Sequence, residues 1–126
     1  MIAIFADRFA RGDDVQIFGD GQQTRDFIYV TDVVAHLMAA MKTSQRGDRV
    51  LNVCTGHPTS ILELAQIIAR IAGREARIRH GAARIGDIRA SVGDPSAARS
   101  VLGVAAKTKI TDGLRATLAH VASAAA

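Results

Sequence analysis

Four segments of the chain carry the apolar spacing of an amphipathic helix, and a fifth has the terminal residues of one. Residues that suit helix termini mark their ends: Ser60 and Glu63 form a capping box, and a glycine at position 12, 73 or 103 follows three of the segments. Helices are therefore predicted over residues 2–11, from the cap Thr31 along Val33, Val34, Leu37, Met38 and Met41, from Ser60 to Gly73, from Asp94-Pro95 to Gly103, and from Thr111 along Leu114, Leu118 and Val121.

Short apolar segments between these helices predict strands. They cover residues 15–18, 24–30, 50–53 and 76–80, with a brief extended stretch at 89–92, and are separated by turns or loops at 19–21, 46–48 and 81–87. The strand at 50–53 leads through a glycine turn into a helix, which is the order of an α/β unit. The sequence thus predicts one α/β domain over residues 1–126, with short strands, about five helices and a tail, 122–126, that frays.

Composition narrows the class of protein and of ligand. The 126 residues are 48% hydrophobic and 22% charged, as in an ordinary globular domain, and the net charge is +4. Because the basic residues are scattered and the excess is modest, the charge does not favour nucleic-acid binding. A small anionic molecule is the better prediction, since a few well-placed arginines suffice to bind it.

The single cysteine, Cys54, excludes an internal disulfide and favours a reducing compartment. No stretch approaches the roughly 20 apolar residues of a membrane span. Asp7 and Arg8 interrupt the first apolar segment, so the amino terminus does not have the layout of a signal peptide. These features predict a cytoplasmic protein that does not bind membranes.

A family resemblance appears in residues 19–33, Gly-Asp-Gly-Gln-Gln-Thr-Arg-Asp-Phe-Ile-Tyr-Val-Thr-Asp-Val. Three further stretches agree with it in order and spacing: 51–56 with Thr59-Ser60, 84–89, and 94–98 through Leu102-Gly103. Together they resemble the carboxy-terminal part of the NAD-dependent epimerase/dehydratase family. Its members are extended short-chain dehydrogenase/reductases that act on nucleoside-diphosphate sugars, and UDP-glucose 4-epimerase is the best known. The resemblance implies the carboxy-terminal lobe of an extended Rossmann-type epimerase.

Two arginines are candidates to bind a nucleotide diphosphate. Arg25 lies on a predicted strand just after a glycine turn, and Arg84 lies in a predicted loop. Planar guanidinium groups pair with phosphate oxygens through charge-assisted hydrogen bonds, each contributing ~1.5–3 kcal/mol. The resemblance implies that both contact the diphosphate, that Asp87 accepts hydrogen bonds from the ribose hydroxyls, and that backbone groups around Gln16 and Phe18 hold the base.

Structural alternatives exist for each candidate. Arg25 and Asp26 could be solvated strand ends, and Arg84 with Asp87 could form an ion pair within a loop. Cys54 is interpreted as an inert thiol in a buried strand, at a position where the family commonly has glycine. The histidines, at positions 36, 57, 80 and 120, have no second ligand at zinc spacing, so no metal site is predicted.

Two features of the family are not found in this sequence. A dinucleotide site needs a glycine-rich turn between a strand and a helix, whereas Gly19 and Gly21 lie between two predicted strands. The family's acid–base pair is a tyrosine with a lysine four residues later, and the one tyrosine, Tyr29, has Val33 at that position. We therefore expect a chain that begins downstream of both features, carries no catalytic residue and binds no cofactor alone, with NAD implied for the complete enzyme.

The absence of the Rossmann half, which carries both of these features in the family, has a physical consequence. In complete family members the strand near 50–53 joins the main parallel sheet, so in this chain it lacks neighbours. Open strand edges and exposed apolar faces favour association. We expect a homo-oligomer or a partner chain that supplies the Rossmann half.

Two functions follow from these observations. The first is a lobe that binds a UDP- or TDP-sugar. The second is a non-enzymatic module that binds another protein through an exposed apolar face. The identity of the sugar and of the base, and the choice between epimerase and dehydratase, stay open.

Overall fold

The computed structural model describes residues 1–44 and 47–124. Part of the predicted loop 46–48 and the end of the predicted frayed tail lie outside these residues. The elements, in chain order, are α1 Ile2–Arg11, β1 Val15–Phe18, β2 Thr24–Asp26, α2 Val30–Lys42, β3 Pro58–Ser60, α3 Ile61–Ile71, β4 Ile78–Gly81, β5 Ala90–Ser91, α4 Ser96–Leu102 and α5 Ile110–Ala124. The predicted α/β class, with short strands and five helices among the described residues, is confirmed.

The core forms where α1 and α3 pack together over β1. Helix α3 contributes its fully buried residues Leu64, Ala65 and Ile68, which recur at helical spacing and therefore share one face. The other large buried side chains come from α1, β1 and α5: Phe5, Phe9, Val15, Ile17 and Leu114. This small core, aliphatic apart from two phenylalanines, holds one wall of the cavity described below.

Helix α3 begins with the capping residue that its sequence predicts. The Ser60 Oγ accepts a hydrogen bond of 3.0 Å from the backbone N–H of Glu63. This bond satisfies one of the N–H groups that the first turn of a helix leaves without a partner.

Replacement of Ser60 by alanine is expected to lower the free energy of unfolding by about 1 kcal/mol, because this capping bond is lost. Urea denaturation of both proteins at neutral pH measures the difference. Ser100→Ala, at an exposed position within α4, is the matched control and should change stability by less than about 0.5 kcal/mol. Equal losses in the two variants would contradict the capping role.

The strands form two small sheets among the described residues. In the first, β1 pairs in parallel with β4, with Val15 opposite Ile78 and Phe18 opposite Gly81. In the second, β2 lies between β3, its antiparallel neighbour, and β5, its parallel neighbour. The consecutive strands β1 and β2 thus belong to different sheets. The turn between them redirects the chain through glycines at 19 and 21, both at positive φ.

The second strand is shorter than its sequence predicts. It ends at Asp26 rather than at residue 30, and the Asp26 carboxylate there binds the loop at Thr55 and Gly56 instead of a strand continuing. Helix α2 begins at Val30. Its first carbonyl acceptor is that of Tyr29, so the prediction that Thr31 caps the helix is wrong.

The predicted strand at 50–53 is also wrong for the described structure. These residues have no strand partner among the described residues, and Val50 is 98% exposed. A strand needs a hydrogen-bonded neighbour, and none is within reach here. The sequence analysis missed β3, Pro58–Ser60, which forms only because β2 provides a pairing edge.

The apolar stripe of α2 faces outward. Its inward face carries the buried polar residues Asp32 and His36. The large exposed side chains of the helix are Val30, Val34, Leu37, Met38 and Met41, 45–79% exposed. A contiguous exposed apolar surface of this kind is typical of a contact face.

The last two helices begin close to their predicted positions. The Asp94 carboxylate accepts from the backbone N–H of Ser96 at 2.9 Å, and Gly103 ends α4 in the left-handed conformation. Helix α5 begins at Ile110 and runs through Ala124, so residues 122–124 form its final turn. No helix within the described residues is long and apolar enough to cross a membrane.

Candidate functional site

One cavity of about 1060 Å³ lies between α1, β1, the start of α3 and the loop after β4. Its volume is slightly above the range for small-molecule sites, roughly 300–1,000 Å³. All five residues that the sequence analysis selects line it: Gln16, Phe18, Arg25, Arg84 and Asp87. Residues about 70 positions apart in the sequence thus surround a single space.

The parallel pairing of β1 and β4 brings the two groups of selected residues together. Gln16 and Phe18 lie on β1, and β4 continues directly into the loop that carries Arg84 and Asp87. Within that loop the Asp87 N–H donates to the Arg84 carbonyl at 3.2 Å, across Gly86 at positive φ. Arg84 and Asp87 are therefore held on one tight turn.

Arg25 is fixed by three hydrogen bonds. Its Nη1 donates to the carbonyls of Thr24 at 2.8 Å and Ile88 at 2.7 Å, and its Nη2 donates to Asp87 Oδ1 at 2.7 Å. The side chain is 27% exposed. Two of the five N–H groups of a guanidinium, on Nε and Nη2, have no acceptor among the described residues. Arg25 is therefore not a solvated strand end.

Arg84 is held by an aromatic ring rather than by a carboxylate. Its guanidinium carbon lies 3.9 Å from the centroid of the Phe18 ring, within the range of a cation–π contact. The predicted alternative, an Arg84–Asp87 ion pair, is wrong, since Asp87 pairs with Arg25. Stacking orients the Arg84 guanidinium and leaves its N–H groups without a carboxylate partner among the described residues.

Gln23 also lines the cavity, and the sequence analysis missed it. Its Nε2 donates to the Phe18 carbonyl at 3.0 Å and to Asp87 Oδ2 at 3.3 Å. It therefore connects β1 with the loop after β4. A glutamine beside a glycine turn carries no chemical signal in the sequence alone, because glutamines are frequent on solvated surfaces.

The charge around the cavity is balanced, with a small positive excess. Asp14 pairs with Arg79 at one end, and Asp87 pairs with Arg25 at the other. Four guanidinium groups and three carboxylates line the cavity, an excess of one positive charge: Arg8, Arg25, Arg79 and Arg84 with Asp13, Asp14 and Asp87. Such a surface suits an anion better than a cation.

Asp26 has a structural role beside the cavity. Its Oδ1 accepts from the Thr55 N–H at 2.9 Å and the Thr55 hydroxyl at 2.6 Å, and its Oδ2 accepts from the Gly56 N–H at 2.8 Å. The alternative of a solvated strand end is therefore wrong for Asp26. This carboxylate fixes the 55–56 loop against the end of β2.

Cys54 lies next to this loop, outside any strand of the described residues. Burial, and then the negative charge of Asp26, raise the pKa of its thiol. A raised pKa lowers the thiolate fraction, which fits the interpretation of Cys54 as unreactive. Its Sγ packs against Gly93, where an added Cβ would lie 2.7 Å away.

The fold and the cavity define the class of protein when they are compared with known ones. A model of the NAD dependent epimerase/dehydratase family matches residues 1–54. Solved epimerase structures superpose on almost the whole chain. The chain belongs to the NAD-dependent epimerase/dehydratase family, within the extended short-chain dehydrogenase/reductases.

Individual relatives are nucleotide-sugar enzymes. UDP-glucose 4-epimerase of Mycolicibacterium smegmatis is 36% identical over 118 residues, which are 94% of this chain and 37% of the relative. The Thermotoga maritima UDP-glucose 4-epimerase structure with UDP-glucose gives a TM-score of 0.91 at 35% identity, over 99% of this chain and 40% of that one. The Bacillus cereus UDP-glucuronic acid 4-epimerase, in complex with UDP-glucuronic acid and NAD, gives 0.91 at 26% identity, over 98% and 40%. This chain thus spans about two fifths of the length of these relatives.

Proposed function

We propose that this chain is the lobe of an NAD-dependent sugar epimerase or dehydratase that binds a nucleoside-diphosphate sugar. The observation that carries the proposal is the position of Arg25, Arg84 and Asp87 around one cavity large enough for such a ligand. A diphosphate brings two negative charges into a partly enclosed space, and they need N–H donors there. Arg25 and Arg84 offer donors that no described residue occupies.

Each residue receives a role in this proposal. Arg25 and Arg84 hold the diphosphate, and Asp87 accepts hydrogen bonds from the ribose hydroxyls. Backbone groups around Gln16 and Phe18 hold the base. The relatives with UDP-glucose and UDP-glucuronic acid support a UDP-sugar, and a TDP-sugar is the alternative ligand.

The proposed contribution of this chain is binding and orientation, without a catalytic residue. Its sequence has no glycine-rich strand-to-helix turn and no tyrosine–lysine pair. We infer that NAD is bound outside these residues in the complete enzyme. Binding energy from the nucleotide, remote from the reacting sugar carbon, positions the sugar for the reaction. A cytoplasmic location stays a prediction from the single cysteine.

Nucleotide titration tests this proposal directly. UDP-glucose should bind the chain in calorimetry and raise its unfolding temperature, because a ligand that binds only the folded state stabilises it. Inorganic phosphate at the same concentration is the control and should give a much smaller shift. A chain that is folded by circular dichroism and shows no response to UDP-glucose or TDP-glucose would refute the proposal.

The second candidate function is a module that binds another protein, and the exposed stripe of α2 favours it. Under the first proposal the same stripe is the contact face for a second copy or for a chain that supplies the Rossmann half. Nucleotide binding separates the two functions. The interaction module predicts partner binding without a response to UDP-glucose.

The isolated chain is expected to form dimers or larger assemblies in light scattering. Leu37→Glu combined with Met41→Glu places two charges on the α2 stripe and should shift the population towards the monomer, because burying unpaired carboxylates is costly. The control Ala35→Glu adds a charge at an exposed position beside the stripe and should leave the assembly intact. A monodisperse, well-folded monomer of the unmodified chain would contradict this expectation.

A further inference from the structure

We propose that Gln23 is a positioning residue for the nucleotide, acting through Asp87 and the Phe18 carbonyl. The inference rests on the function proposed above and deepens it. Gln23 is half-buried at the cavity and lies in the turn between β1 and β2, two strands of different sheets. Within the described part of the chain, its side chain links β1, at the proposed base end of the site, to the Asp87 carboxylate at the proposed ribose end.

The chemistry of its partners fixes the orientation of the Gln23 amide. A backbone carbonyl and a carboxylate only accept hydrogen bonds, so the amide nitrogen must face both of them. Nε2 carries two hydrogens, and the bonds to Phe18 at 3.0 Å and Asp87 at 3.3 Å occupy both. Glutamate and methionine have side chains of similar length but no N–H donors, so neither can replace the amide.

The two oxygens of Asp87 are thereby held from opposite sides. Arg25 Nη2 donates to Oδ1 and Gln23 Nε2 donates to Oδ2. A carboxylate held at both oxygens has a fixed plane, so the lone pairs that remain free also point in fixed directions. Ribose hydroxyls need acceptors at fixed positions, and a preorganised acceptor costs less conformational entropy on binding.

The same amide maintains the distance between the base and ribose ends of the site. Phe18, whose ring supports Arg84, is anchored at its carbonyl by Gln23. Gln23 therefore acts on three of the five proposed binding residues. It contacts the Phe18 backbone and Asp87 directly, and it supports Arg84 through the Phe18 ring. Loss of the amide should weaken nucleotide binding without removing any proposed ligand contact.

The test measures UDP-glucose affinity by calorimetry for the full chain and its variants. Gln23→Met keeps the length of the side chain and removes both donors, and should weaken binding about tenfold. Gln22→Met, at the neighbouring exposed position outside the cavity, is the matched control and should leave the affinity within about twofold. In an Asp87→Ala background the effect of Gln23→Met should fall below about threefold, because the residue acts through Asp87.

A second variant changes the charge beside Asp87 and adds a readout that a purely structural role would not move. Gln23→Glu removes both donors and places a carboxylate against that of Asp87, so binding should be about 30-fold weaker than in the unmodified chain, a larger loss than for Gln23→Met. At each salt concentration the two variants are compared directly, and the difference between them should shrink as salt rises, because salt screens the repulsion between exposed charges.

The outcomes separate the two proposals. If the unmodified folded chain does not bind UDP-glucose, the proposed function fails, and this inference fails with it. If it binds, and Gln23→Met and Gln23→Glu bind equally well, only the role of Gln23 is refuted. Fully additive losses in the Gln23→Met, Asp87→Ala double variant would likewise refute action through Asp87.

Discussion

Replacement of Arg25 by alanine is expected to weaken UDP-glucose binding by about 100-fold, and replacement of Arg84 by about tenfold. Arg25 offers two N–H groups to the diphosphate and also holds Asp87 and the Ile88 carbonyl in place. Charge-assisted hydrogen bonds contribute about 1.5–3 kcal/mol each, and every 1.4 kcal/mol is roughly a factor of ten in affinity. Arg84 is more exposed and is supported by one ring, so its effect is smaller.

Calorimetry at fixed salt concentration measures both effects. Arg99→Ala removes the same charge from an exposed position of α4, outside the residues that line the cavity, and should leave the affinity unchanged. Arg25→Lys retains the charge but not the planar set of donors, and should recover only a small part of the loss. Equal affinity of the unmodified chain, Arg25→Ala and Arg84→Ala would refute the proposed diphosphate site.

Replacement of Asp32 by alanine is expected to lower the free energy of unfolding by about 3 kcal/mol. Asp32 is buried on α2, and its carboxylate accepts from the backbone N–H groups of Lys107 at 3.2 Å and Thr108 at 3.0 Å. Alanine would leave these two donors, which join the segment before α5 to α2, without an acceptor. Asp7→Ala, which removes an exposed ion pair with Arg11, is the control and should cost less than about 1 kcal/mol.

The contribution of Asp32 should also depend on pH. Burial acts to raise the pKa of Asp32 and is the largest single influence, but the hydrogen bonds from Thr108 and Lys107 and the nearby His36 together outweigh it, so the pKa lies below its ordinary value. A lowered pKa stabilises the folded state above the pKa of the unfolded chain, about 3.9, and this stability is lost as the pH falls through the folded-state pKa.

Urea denaturation near pH 7 and near pH 3 measures this dependence. The stability difference between the unmodified chain and Asp32→Asn should be largest near neutral pH and smaller near pH 3, because below about pH 3.9 the aspartate of the unfolded chain takes up protons before the folded-state carboxylate does. A difference that grows as the pH falls would contradict the assignment.

Local signals predicted those parts of the fold that depend on neighbouring residues in the sequence. The capping box at Ser60, the apolar face of α3 and the glycine that ends α1 each act within a few residues, so their pattern is visible in the sequence. The fold class and the family could be predicted because several such segments occur in the order and spacing that the family has. The strand at 50–53 was predicted wrongly because a strand depends on partners that the sequence of the segment does not contain.

The candidate site shows the same division. Arg25, Arg84 and Asp87 could be selected because the family resemblance marks them, and the structure places them around one cavity. Their mutual contacts could not be predicted: the partner of Asp87 is Arg25, 62 positions away, rather than Arg84 on the same turn. Gln23 and Asp26 belong to the 19–33 motif, but their contacts could not be predicted from it, because these arise only from loops that folding brings to them.

The cavity joins distant segments, since β1 pairs with β4 and Asp87 reaches back to Gln23 and Arg25 over more than 60 positions. A nascent polypeptide that has left the ribosome only as far as Gly81 therefore has no complete recognition surface. Under the proposed function, nucleotide capture is therefore a late event in biogenesis and reports that the tertiary structure has closed. Metabolite supply would then protect chains in which β4 and the loop after it have folded against β1, and would offer nothing to chains in which they have not.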